Sequence, residues 1–441
     1  MRLPLDVSQC IEALEGASFA TYAVGGCVRD HLLGLAPHDF DLCTAALPEE
    51  IQSVFRNRQL VLAGVKHGTV GVVTGGGVVE ITTFRTEGGY ADCRHPGWVR
   101  FVPTIEEDLA RRDFTVNAMA WSPTRGLADP FNGQEDLKNH ILRAVGTPEQ
   151  RFQEDAIRIL RGVRFAVKYH LTPDQATEKA MFSQAPLMDS LAQERVLDEL
   201  CKLLPLVAAE DLVRFAPIIT QVIPELKAAV GFDQHSPHHA YNLYTHIAHV
   251  TAATPASLSL RWAALLHDVG KLSTFTLDEI GRGHFYGHAK ESARLANEIL
   301  LRLKAPTALR EQVVRLVELH MTKIEPERKL VRRWLSRLGS ETMEELLCLQ
   351  EADMGSKGTG IPGNTEQFSK IRSIIADILA DQACLSIKDL AVNGRDLMEL
   401  GFAPGKTLGA CLQSLLEQVL DERLPNDKTA LLKAAIDYLK D

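Results

Sequence analysis

The chain is 441 residues long, 45% apolar and 24% charged, with a formal net charge of −9. This is globular composition with room for several domains, and no apolar run approaches the roughly 20 residues of a membrane-spanning helix. The total lacks the basic excess that would point to nucleic acid, although a local basic groove is what such binding requires. The opening segment, MRLPLDVSQCIEALEG, carries Asp6, Glu12 and Glu15 and has no signal-peptide apolar core. The eight cysteines include no C-x-x-C pair, which reads as reduced thiols in a cytoplasmic protein.

Residues 20 to 145 alternate β-like runs with turns: TYAVGG, DFDLCT, TVGVVTGGGVVEITTFR and WVRFVP. The glycines of TGGG (74–77) fit a hairpin, and CVRDHLLG fits a short helix. After about residue 146 the β-like runs stop. PEQRFQEDAIRILRGVRFAVKY and SLAQERVLDELCKLLPL carry helical apolar spacing, and so does nearly everything to the end. Loops fall at 231–239, 278–288 and 355–366, and no fixed-period repeat occurs. The fold class expected is α+β: a head with a small mixed or antiparallel sheet, then an all-helical remainder.

The first chemical signal is GGCVRD (25–30). Two glycines entering a helix let backbone approach a ligand closely, and Arg29 could fork onto a phosphate. Nine residues past Asp30, HDFDLCTA places Asp39 and Asp41 two apart. On a strand they would share one face, where like charges repel unless a cation lies between them. Oxygen ligands of this kind suit Mg²⁺ beside a substrate phosphate. Two such ions can clamp the attacking and leaving oxygens of a displacement at phosphorus. Glu80, mid-strand in VVEITTFR, could reach the same metals.

EEDLARRDFTVNAMAW (106–121) offers Arg111, Arg112, Asp113 and Asn117, read either as a helix start with charge pairs or as a nucleotide contact. In EDAIRILRGVRF (154–165), Asp155, Arg158, Arg161 and Arg164 recur every third residue and would wind along one side of a helix. Three arginines with fewer acids suggest an anion facing them. GFAPGKT (401–407) imitates a P-loop, but it has three residues between its glycines instead of four and no preceding strand; it reads as a joint between helices.

In order, GGCVRD, DFDL, VEITTFR, RRDFTVNAMA, DPFNG, EDAIRILRGVRF and QERVLDEL resemble the class II tRNA nucleotidyltransferases. These are the CCA-adding enzymes, with the similar bacterial poly(A) polymerases, of the DNA polymerase β superfamily. The likeness covers residues 20 to 205 and continues more weakly into the tail. It implies a nucleotidyltransferase head over residues 1–145, a helical neck over 146–230, a helical body over 231–360 and a tRNA-binding tail over 361–441. It also implies that Asp39 and Asp41 hold catalytic magnesium with Glu80 as third carboxylate. Gly26 and Arg29 would touch the triphosphate, and Arg112 and Asp113 the triphosphate and ribose. Asp155 and Arg158 would act as a protein template for CTP and ATP, with Arg161 and Arg164 extending the basic face. The exocyclic amino group of C and A can donate to a carboxylate, and U and G have a carbonyl at the corresponding position. The implied partner is the 3′ end of tRNA.

A second pattern lies in the body. His246, His267-Asp268, His288, His320 and Asp353 resemble the HD-domain phosphohydrolases. Imidazole with carboxylate suits a transition metal such as Mn, Ni, Zn or Fe. The competing expectations are an A-adding enzyme or a poly(A) polymerase in the same superfamily. In another class, the chain would be an HD phosphohydrolase whose head only binds RNA. By the resemblance to the nucleotidyltransferases, the intact segment between Glu80 and Arg111 is the flexible element needed for the switch to A, which argues against a CC-only enzyme.

Overall fold

The computed structural model describes residues 1–37, 39–88, 97–236, 240–358 and 365–440. They form two compact units, Met1–Val207 with Arg214–Lys227, and Ala208–Val213 with Ala228–Asp441. The expected boundary at 145/146 lies inside the first unit, and that at 360/361 inside the second.

The first unit begins with α1 (Leu5–Gly16), which buries Val7, Cys10, Ile11 and Leu14. That i, i+3, i+4, i+7 stripe is what an amphipathic helix lays on a sheet. β1 (Thr21–Val24) follows, buried at all four positions, then α2 (Gly26–Leu32), β2 (Asp41–Thr44) and α3 (Pro48–Val54). Next come β3 (Leu60–Val61), β4 (Thr69–Thr74) and β5 (Gly77–Thr83). β4 and β5 form the hairpin whose turn holds the TGGG glycines, with Thr74 opposite Gly77. β6 (Arg85–Gly88) pairs with β7 (Trp98–Phe101) as a separate ribbon. The expected long element between Glu80 and Arg111 therefore has a described base, while residues 89–96 lie outside the described residues. After α4 (Ile105–Ala110), β8 (Ala120–Ser122) and β9 (Gly126–Ala128) complete a seven-stranded sheet. Its order is β3-β4-β5-β2-β1-β8-β9, antiparallel except for β2 beside β5.

α5 (Gly133–Lys138), α6 (Pro148–Glu154), α7 (Ile157–Tyr169), α8 (Gln175–Ser183) and α9 (Gln193–Leu203) carry the rest of this unit. α7 and α9 pack together, α7 burying Leu160, Val163 and Ala166. One pairing was not legible in the sequence: Ile141–Leu142 runs parallel to Thr172–Pro173. Two-residue strands are too short to express an alternation.

The second unit is helical. Leu243–Ala253, Leu258–Leu266, His288–Arg302, Thr307–Leu319 and Ser340–Gly355 bring its histidines together, and a small ribbon, Thr276–Leu277 with Gly283–His284, interrupts them. Gly394–Glu399, Lys406–Leu420 and Lys428–Lys440 share an apolar cluster around Leu397, Leu415 and Leu431. The GFAPGKT segment joins the first two of these three helices. No helix among the described residues is long and apolar enough to cross a membrane.

Candidate active site and a buried histidine cluster

Three strand ends meet at one edge of the head sheet. β1 runs out at Val24, whose neighbours are Asp41 at the start of β2 and Ala120 at the start of β8. Gly25 follows with φ +72°, its N–H donating to the Met119 carbonyl at 3.0 Å. A side chain is disfavoured here by the left-handed backbone, and a Cβ would lie 2.6 Å from Arg112 Nη1. The turn from β1 into α2 can therefore pass directly against Arg112. It brings Gly25 and Gly26 into the wall of a cavity of about 660 Å³ that lies wholly within the first unit.

Eight arginine and lysine side chains and six carboxylates line this cavity, an excess of positive charge in an acidic protein. Four of the carboxylates are paired. Asp113 meets Arg161 at 2.7 Å, Glu199 meets Arg164 at 2.6 Å and Asp198 meets Lys202 at 2.6 Å. Both oxygens of Asp155 accept from Arg195, at 3.0 and 2.7 Å. The side chains of Asp39 and Asp41 have no hydrogen bond or ion pair among the described residues. Desolvation pushes the Asp41 carboxyl above its usual range, with Arg112 opposing and Asp39 reinforcing the rise. The two acids converge on the cavity although Asp39 precedes the strand, which begins at Asp41.

β5 runs parallel to β2 with Ile81 beside Leu42. One residue earlier on each strand, Glu80 and Asp41 belong to a common sheet face. Glu80 is exposed and is not among the residues lining the cavity. Arg29 lines the cavity but is already engaged. It donates to Asp30 at 2.7 and 2.9 Å and to Asn117 and Tyr169, with its guanidinium 4.2 Å from the Tyr169 ring centre. Arg29 thus ties α2 to α7.

Arg112 and Asp113 lie beyond the end of α4 rather than at a helix start. Asp113 accepts from its neighbour Phe114 N–H at 2.8 Å, from the Asn117 amide at 3.1 Å and from Arg161. Burial alone would raise its carboxyl, but Arg161, Asn117 and Arg158 together hold it down to about 2. Asp155 does not ride α7 with the arginines, as the three-residue spacing suggested. It sits in the break after α6 with an extended backbone (φ −150°, ψ 102°), and its Oδ1 accepts the Ile157 N–H at 3.3 Å. Arg158 donates to Glu154 at 2.8 Å and to the Arg151 and Arg111 carbonyls at 3.2 and 2.9 Å.

Sequence reasoning missed three supports. Arg195 and Glu199 stand one turn apart on α9, a spacing that puts both on one face. Asp108, fully buried, accepts from Arg111 Nε at 3.1 Å and from the Arg85 N–H at 3.2 Å, and lies 3.7 Å from Arg112. Its offsets of three and four from the two arginines were the available signal.

In the second unit, His246, His267, Asp268, His288, His320 and Asp353 come together. The four imidazoles share one construction. Each Nδ1 lies against a backbone carbonyl: His246 at Ser356 (3.1 Å), His267 at Ala264 (2.7 Å), His288 at Phe285 (2.8 Å) and His320 at Val317 (2.6 Å). An Nδ1–H held in this way turns Nε2 inward, as a lone pair wherever the imidazole is neutral. Asp268 Oδ2 lies 3.3 Å from His246 and 3.2 Å from His267; its Oδ1 lies 3.4 Å from His288 and 3.9 Å from His320. Asp353 lies 3.1 Å from His246. Two ligand triads thus share Asp268, each with its atoms within 4.8 Å of one another. The Nε2 atoms of His267, His288 and His320 are buried without a hydrogen-bond partner. Burial lowers His288, and burial with His267 lowers His320 to about 4, which keeps these imidazoles neutral. His246 is instead carried up to about 9, as Asp268 and Asp353 outweigh its burial.

Residues 21–143 match the Poly A polymerase head domain, and residues 285–435 match tRNA nucleotidyltransferase domain 2. The CCA-adding enzyme of Latilactobacillus sakei subsp. sakei (strain 23K) is 34% identical over 438 residues, covering 96% of each chain. That of Streptococcus thermophilus (strain CNRZ 1066) is 32% identical, covering 96% of this chain and 94% of its own. The crystal structure of the Bacillus stearothermophilus CCA-adding enzyme in complex with CTP superposes with a TM-score of 0.71 at 28% identity, covering 100% of this chain and 98% of that one. A Thermotoga maritima CCA-adding enzyme complexed with tRNA shares the fold, with a TM-score of 0.62 at 20% identity and 99% and 97% coverage.

Because Asp113 is depressed in the folded chain, its contribution to stability is present above the unfolded value near 4 and is lost as pH falls through about 2. Asp113→Asn is expected to lower unfolding free energy at pH 7 by about 2 kcal/mol and to flatten the acid limb between pH 4 and 2. Urea titrations of both proteins across that range provide the check.

Proposed function

The chain belongs to the CCA-adding enzymes, and from that premise we propose how its own residues divide the work. It is a CTP- and ATP-dependent tRNA nucleotidyltransferase that joins C, C and A to a tRNA 3′ end with release of pyrophosphate, using no nucleic-acid template. We divide it by role into a catalytic head (1–145), a template neck (146–230), a body (231–360) and a tRNA-binding tail (361–441).

The observation that carries the site assignment is the unpaired acid pair. In a cavity where the other four carboxylates already hold a cation, Asp39 and Asp41 are left to repel each other. They fit Mg²⁺, which binds through one or two carboxylates plus substrate phosphates. Bound there, magnesium supplies the positive charge that steadies the entering 3′-oxygen and the departing pyrophosphate. Glu80, on the same sheet face as Asp41, is the third carboxylate in this reading. The excess of arginines draws in the triphosphate. Gly26 admits it close to the backbone, while Arg29 and Arg112 supply charge along the wall.

Asp155 and Arg158 read the base. A carboxylate offers about four lone-pair directions, and Arg195 with the Ile157 N–H takes three. One remains for an exocyclic amino group. Arg158 has five N–H donors and uses three, so two remain for acceptors on the same edge. Arg195 fixes the direction of the carboxylate, and Asp113 fixes Arg161. A base presenting a carbonyl where the amino group belongs would leave Asp155 facing a second acceptor, which rejects U and G.

The histidine cluster supports a second reading, an HD-type metal centre with phosphohydrolase chemistry. Its buried, inward Nε2 atoms and a carboxylate shared by two triads fit a transition metal such as Mn, Ni, Zn or Fe. A metal held there would activate water toward a phosphate ester.

A tRNA transcript ending at the discriminator base, incubated with Mg²⁺, CTP and ATP, is expected to grow by three nucleotides on a gel, and by two with CTP alone. Asp39→Ala should lower this incorporation about 100-fold or more. The same protein should bind metal at the histidine cluster as wild type does, measured by metal content after desalting. Growth by one A only, on transcripts already ending in CC, would make it an A-adding enzyme. Binding of the transcript should weaken about tenfold or more between 50 and 200 mM salt, despite the net charge of −9. Salt-independent binding would refute phosphate contact as the source of affinity.

A further inference from the structure

A cavity of about 190 Å³ adjoins the histidine cluster, and its wall includes His320 and Asp353. The other polar groups in that wall are mostly committed. The Gln350 amide donates to the His320 and Thr322 carbonyls at 3.0 and 2.8 Å. Lys323 pairs with Glu325 at 2.5 Å. Lys271, at the cluster itself, is held by Asp268 at 2.7 Å and by Gln234 at 3.0 Å. Lys357 stands apart. Its carbonyl is fixed by the Ala240 N–H at 2.9 Å and its residue is half-buried, yet its ammonium has no ion pair or hydrogen bond among the described residues. Its charge is therefore open to an anion that enters the cavity.

We propose that Lys357 determines the specificity of this centre, selecting dianionic phosphomonoester groups over monoanionic phosphodiesters. The inference rests on reading the histidine cluster as a metal centre. Two features carry it. The first is charge: a monoester carries close to two negative charges at neutral pH, because its second pKa is near 6, whereas a diester carries one. The added charge needs an added cation, and Lys357 is the cation in this wall with no hydrogen bond or ion pair among the described residues. The second is placement: Lys357 lines the same cavity wall as His320 and Asp353 of the cluster, so an anion drawn to its ammonium lies beside the metal-binding side chains.

The test uses the full chain loaded with Mn²⁺, its metal content measured directly, and titrates it calorimetrically with orthophosphate and with dimethyl phosphate. Wild type should bind orthophosphate at least about tenfold more tightly than dimethyl phosphate. Lys357→Met should weaken orthophosphate about tenfold, leave dimethyl phosphate within about twofold, and keep the metal content unchanged. Lys357→Arg, which preserves the charge, should restore most of the orthophosphate affinity. Unchanged orthophosphate binding in Lys357→Met, or equal weakening of both anions at full metal content, overturns the role of Lys357 and leaves the metal centre standing. A wild-type chain that takes up no metal overturns the metal centre and this inference with it.

Discussion

Repulsion between Asp39 and Asp41 is the interaction around which the head is arranged. Asp41 is raised by desolvation and by its neighbour, Arg112 offsets only part of that rise, and neither carboxylate has a hydrogen bond or ion pair among the described residues. A cationic ligand between the two carboxylates would supply the charge that such a pair lacks. The rest of the cavity is the complement of that deficit. Its other acids are each matched to a guanidinium or ammonium, so they orient cations instead of competing for metal. Asp113 directs Arg161, Glu199 directs Arg164, and Asp155 is itself directed by Arg195.

The backbone explains why residues far apart in the chain meet there. β1 is an interior strand of the sheet, and the strands on either side begin where it ends. That one edge collects the Gly25 turn, the acid pair and the 114–119 segment. α7 closes the opposite wall, held to α2 through Arg29 with Asn117 and Tyr169. The histidine cluster follows the same logic with another donor set. Backbone carbonyls fix each Nδ1, so that the chemistry-bearing Nε2 atoms converge on Asp268.

Much of this was legible in the residues. The sheet's runs, the TGGG hairpin and the α+β division follow from alternation and glycine placement. Asp39, Asp41, Arg112, Asp113 and Asp155 stand in short motifs, and the six His and Asp residues of the second unit resemble the HD-phosphohydrolase pattern in their order along the chain. What escaped depends on pairing across distance. Arg195 meets Asp155 from 40 positions away, and the role of Asp108 appears only once Arg85 and Arg111 converge on it. The break that puts Asp155 outside α7 was hidden because a three-residue spacing continues unchanged through it. Two-residue strands gave no pattern to read.

The most direct measurement of the account is CTP affinity with and without Mg²⁺, by calorimetry, for wild type and Asp41→Asn. If the acid pair exists to hold the cation, Mg²⁺ should tighten CTP binding to wild type. In Asp41→Asn the tightening should vanish, while metal-free CTP should bind at least as well as to wild type, since one negative charge facing the triphosphate is gone. An Asp41→Asn protein whose CTP binding still tightens with Mg²⁺ as wild type does would contradict the account.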